Sequence, residues 1–126
     1  MDKDKLDKLK DIKIENFVWG IYIIIIILSY YANSLERKFF LYDDEKSKKE
    51  YQKLMIFIFL ILLIVYYYFA QDGYNKIMEL NESDSNKKKI LSYAVFIGSF
   101  LILISGIIFL YILIVDDKIE TEIAFN

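Results

Sequence analysis

LMIFIFLILLIVYYYFA, the stretch from Leu54 to Ala70, decides the fold. Eleven of its first twelve residues are Leu, Ile, Phe or Val, and none of the seventeen is charged. At about −0.3 to −0.6 kcal/mol per residue on an insertion scale, residues 54–65 alone favour the bilayer by about 3–7 kcal/mol. A soluble helix keeps one polar face for water, and this stretch has none. Residues 17–32 and 90–115 share the property, containing no Asp, Glu, Lys or Arg. The five isoleucines at 23–27 would suit a strand, but length decides against it. A membrane strand needs about 9–11 alternating residues, whereas a spanning helix needs about 17–25 apolar ones.

Working outward, the 126 residues are 56% hydrophobic and 27% charged, a mixture that averages to a soluble protein. The two classes are segregated, so the average misleads. A water-soluble chain this short also lacks the core to enclose three helices that are apolar all round. The sequence therefore predicts an all-α membrane protein, with three transmembrane helices in a small up-down bundle. The expected segments are a charged tail (1–16), helix 1 (17–35), a connector (36–53), helix 2 (54–71), a second connector (72–89), helix 3 (90–115) and an acidic tail (116–126).

The first tail alternates Asp and Lys, and its Leu6, Leu9 and Ile12 fall on one helical stripe with Asp4 four residues before Lys8. Two readings stand: a short amphipathic helix lying in the interface, or a solvated, fraying tail. A cleaved signal peptide ending near Ala32-Asn33-Ser34 is a weaker reading, because the tail carries as many acids as lysines. Trp19, Tyr30 and Tyr31 suit the aromatic belts flanking helix 1, and Tyr66, Tyr67 and Tyr68 form an interfacial collar on helix 2. Phe39, Phe40, Leu41 and Tyr42 make a patch expected to dip into the interface. Gln71-Asp72-Gly73 reads as a helix stop.

With three spans, the N-terminal tail and second connector share one side and hold 5 and 4 basic residues. The first connector and the C-terminal tail share the other, with 6 and 1. The positive-inside rule then puts the N-terminus in the cytoplasm and the C-terminus outside, in the cell membrane. Lys87, Lys88 and Lys89, abutting helix 3, lean the same way.

Chemistry is sparse. Cys, His and Pro are absent, so thiolate, imidazole and proline-kink readings fall away together. Intramembrane ionisable residues mark proton relays and ion pathways, and no run contains one. The hydroxyls of Tyr22, Ser29, Tyr93, Ser99, Ser105 and Tyr111 have no neighbouring base to activate them. An enzyme is not expected, nor any cofactor. Asp43, Asp44 and Glu45 with Asp116, Asp117, Glu120 and Glu122 would share the outer side and draw a divalent cation, unless they are simply solvated. Asn81-Glu82-Ser83 matches a glycosylation sequon, but the favoured topology places it in the cytoplasm. A near-neutral charge gives no reason to propose nucleic acid as partner.

Helix 3 carries the most informative pattern. Ser92, Ser99 and Gly106 are seven apart and share one stripe, and Ala94, Gly98 and Ser105 form a second. Small residues let helix backbones approach closely in lipid, where packing drives association. One stripe would serve the chain's own helices and the other a second copy or another membrane protein; alternatively the helix packs only within the monomer. Three functions follow in order: a non-enzymatic interaction, assembly or regulatory subunit; an oligomeric pore former of holin-like type; and, least, an enzyme.

Overall fold

The computed structural model describes residues 2–119, and these form three helices with no strand among them. They are α1 (Lys3–Tyr42), α2 (Glu45–Met78) and α3 (Asn86–Val115), each long and apolar enough to cross a membrane. The all-α, three-helix expectation holds. Glu120 and Glu122 lie outside the described residues. The chain divides between Leu54 and Met55 into two compact units, taken here in turn.

The first unit is dominated by α1, whose 40 residues make about 60 Å of helix. The charged tail is thus neither frayed nor a separate helix. It continues the span without a break. Nothing between Asp2 and Phe17 is Gly or Pro, and once the apolar segment is helical each added residue extends an existing ladder rather than nucleating a new one. Asp2 caps the start, its carboxylate accepting the Asp4 N–H at 3.3 Å. The Leu6, Leu9, Ile12 stripe is exposed, and no ion pair joins Asp4 to Lys8 among the described residues. The covered side of α1 instead runs through Val18, Ile25 and Ala32, seven apart, and on to Leu35.

Asp43 and Asp44 alone separate α1 from α2. Asp43 adopts the left-handed conformation (φ 52°, ψ 36°), which Asp tolerates better than most residues, and its N–H closes α1 on the Phe39 carbonyl at 2.8 Å. Asp44 then opens α2. Its carbonyl accepts the Lys48 N–H at 3.2 Å, and its carboxylate accepts the Lys46 N–H at 3.2 Å and the Ser47 hydroxyl at 2.8 Å. Lys38 adds an ion pair at 3.6 Å, and the Lys48 ammonium lies 5.5 Å from the centre of the Phe39 ring. Of the aromatic patch, Phe39 is half-buried by this turn while Phe40, Leu41 and Tyr42 stay exposed as the last turn of α1.

The Ser47 hydroxyl, foremost, holds the Asp44 carboxyl below the usual carboxylate range; the Lys46 N–H and Lys38 reinforce it, and partial burial opposes them. A depressed folded-state pKa stabilises the turn above the unfolded value near 3.8, and that contribution disappears as pH falls through the lower folded value. The protection factors of the Lys46 and Ser47 amides, exchange rates corrected for their intrinsic pH dependence, are therefore expected to fall on acidification below the unfolded value near 3.8 in the native chain. Asp44→Asn keeps an acceptor without a titrating proton and should show no such step; the same step in both chains would dismiss Asp44 as its origin.

In the second unit, α2 passes straight through Gln71-Asp72-Gly73 and ends at Met78, so the helix stop read at Gly73 is corrected. Gly73 has ordinary helical backbone, with no glycine at positive φ among the described residues. Residues 79–85 form the turn, and Ser85 caps α3 by accepting the Lys88 N–H at 3.1 Å.

Much of this surface has no protein over it. Buried residues make up 28% of the most apolar window of α2 but only 11% of those of α1 and α3. Ile23, Ile24, Ile26 and Ile27 on α1, like Ile97, Leu101 and Ile108 on α3, are more than half exposed. Apolar patches of that extent are rare on soluble monomers and are satisfied by lipid tails. These are the features of a small membrane protein in a lipid bilayer.

Candidate helix-packing interface

The α2–α3 contact is antiparallel and readable residue by residue. Phe59 meets Phe109 edge-to-face, with ring centres 6.1 Å apart. One to two turns further along α2, Leu63 and Tyr66 lie over Gly106. Near the end of α2, Gly73 faces the Phe96 backbone, and the Tyr74 and Phe96 rings are 6.0 Å apart. Phe59, Tyr66 and Gly73 are seven apart, as are Ser92, Ser99, Gly106 and Leu113. Matching periods of seven suit the shallow left-handed crossing of about 20° common in helix bundles.

Two glycines set how closely the helices approach. A Cβ on Gly106 would stand 2.9 Å from Leu63 Cδ2 and 3.1 Å from Tyr66 Cδ2. A Cβ on Gly73 would stand 3.2 Å from the Phe96 Cα. The second case is stiffer, because Leu63 can turn its side chain away whereas Phe96 would have to move its backbone. Gly73→Leu is accordingly expected to destabilise the hairpin by about 1–3 kcal/mol, as overpacking does. Denaturation in mixed micelles reads it, and unchanged stability would contradict the close approach.

The two small-residue stripes of α3 go to different places. Gly106 is buried in the contact, with Ser92 and Ser99 half-buried on the same stripe. Ala94, Gly98 and Ser105 are exposed, and a Cβ on Gly98 would meet nothing within 4 Å. The aromatic anchors also divide. Trp19, Tyr30, Tyr31, Tyr67 and Tyr68 are exposed, whereas Tyr66 turns inward over Gly106. Residue type alone cannot separate Tyr66 from its two neighbours. The spacing Phe59–Tyr66–Gly73 is the one sign that distinguishes it.

Among the described residues, no group of three or more His, Cys, Asp or Glu side chains is placed to hold a metal ion. Asp44 is engaged by the turn, and Asp116 caps the end of α3 through its N–H to Ile112. No protein family, no curated protein and no solved structure matches the chain.

Proposed function

We propose that this chain is a non-enzymatic interaction subunit, of assembly or regulatory type, that acts by packing the free small-residue face of α3 against another membrane helix. The observation that carries the reading is Gly98, where an added Cβ would meet nothing within 4 Å, flanked by the exposed Ala94 and Ser105. A stripe that packs α3 onto α2 is already supplied by Ser92, Ser99 and Gly106, so a second small stripe is surplus to the monomer. The partner is a second copy of the chain or another membrane protein. The lysines flanking the spans support a cytoplasmic N-terminus in the cell membrane. The hydroxyls within the spans have no base beside them in the sequence, which supports a role without catalysis.

The test is the protein mass of particles purified in mild detergent, with and without Gly98→Leu. A discrete multiple or a stoichiometric partner, lost in the variant, is the expected result. Particles of monomer mass alone from native membranes would overturn it. Expression in bacteria should leave the membrane potential intact; its abrupt collapse would replace this reading with a pore.

A further inference from the structure

We infer that the cleft between the end of α2 and the start of α3 binds a phosphate-ester anion, the headgroup of an acidic phospholipid. The cleft measures about 430 Å³, within the range of small-ligand sites, and is open on one side. Lys76, Lys87 and Lys88 line it together with Leu91, Ser92 and Val95. Gly73 explains why it exists. The helices come together backbone to backbone at Gly73 and Phe96, and beyond that point the seven-residue turn joins them.

Its chemistry is two-ended. Three lysines line it near the turn, while Leu91 and Val95, both more than half exposed, present an apolar wall on the membrane side. Lys76 is held by Asp72 at 3.1 Å and Lys88 by Asp84 at 3.2 Å, so two of the cations are positioned in advance. Lys87 has no ion-pair partner among the described residues. The first turn of α3 contains no acid, so the positive end of the helix dipole is not offset there. In both pairs the lysine side chain is more than half exposed, so the pairs are weak and leave each ammonium with N–H donors for a phosphate oxygen. Depth completes the argument. The lysines fall where the charge-free runs end at 70 and begin at 90, which is the level of lipid phosphates. A headgroup there would sit among the ammoniums with its first acyl carbons along Leu91 and Val95.

The experiment uses the full chain in a neutral detergent, titrated with short-chain phosphatidylglycerol and phosphatidylcholine and read by native mass spectrometry. Phosphatidylglycerol should bind in preference to phosphatidylcholine. Lys87→Gln should weaken it about fivefold, and Lys76→Gln/Lys87→Gln/Lys88→Gln about a hundredfold. The same three positions changed to Arg should retain binding, which separates charge from folding. Lys3→Gln/Lys5→Gln/Lys8→Gln, an equal charge loss in the N-terminal segment, should leave it unchanged. Inorganic phosphate distinguishes the sources: weak millimolar binding with the same lysine dependence marks the phosphate as the recognised group, and its failure to displace phosphatidylglycerol marks the lipid as occupant. Equal binding by native and triple-Gln chains, or equal losses in both triple-Gln variants, would overturn the site.

Discussion

Gly106→Leu is expected to lower the stability of the α2–α3 hairpin by about 1–3 kcal/mol, while Gly106→Ala stays close to the native value. The first added carbon already reaches 2.9 Å from Leu63 Cδ2, the tip of a flexible side chain that can rotate aside. Ala gains up to about 1 kcal/mol of helix propensity over Gly, which offsets that adjustment. Leucine adds three more carbons beside the Tyr66 ring, which is 3.1–3.3 Å from the same Cβ position. The ring has nowhere cheap to go, because Tyr66 sits between the Phe59 and Gly73 contacts on one stripe of α2. Stability in mixed micelles, followed by far-UV circular dichroism, checks the pair. If leucine were tolerated as well as alanine, the contact described here would not be what holds the hairpin.

Gly98→Leu should do the opposite. Nothing lies within 4 Å of the new Cβ, so the monomer keeps its packing and its helix gains propensity. Association through the Ala94–Gly98–Ser105 face depends on backbones coming close, which four carbons at its centre prevent. We expect the dissociation constant for the partner, or for a second copy, to rise at least about tenfold, equivalent to about 1.4 kcal/mol. Energy transfer between labelled chains in nanodiscs measures it. Because Gly106 serves the intramolecular contact, bulk there confounds folding with assembly, and Gly98 is the cleaner probe. Equal association by native and Gly98→Leu chains would remove the free face as an interface.

The three spans are legible in the sequence because charge exclusion over some twenty residues has no soluble explanation. The division of labour in α3 is legible in part: spacing by sevens marks Ser92, Ser99 and Gly106 as one stripe, but which of the two stripes is covered depends on α2. Gly73 misleads because glycine beside polar residues is the usual sign of a helix end. The apolar Tyr74, Ile77 and Met78 beyond it keep helical spacing, and that was the available counter-sign. The first tail misleads in the other direction. Its Leu6, Leu9 and Ile12 stripe suggests a helix of its own, whereas the absence of any breaker before Phe17 joins it to the span. The lysine cleft is invisible in one dimension, since Lys76 is separated from Lys87 by a turn whose geometry brings them together.

The unbroken course of α1 also makes it a lever. Residues 3–16 form about 21 Å of charged helix fused to the apolar segment without a joint. A helix answers a thicker or thinner bilayer by changing its tilt. For a rigid rod, a change of about 10° carries the Lys3 end sideways by about 4 Å relative to its point of entry. Bilayer thickness would thereby be converted into the position of the five lysines and four acids of that segment.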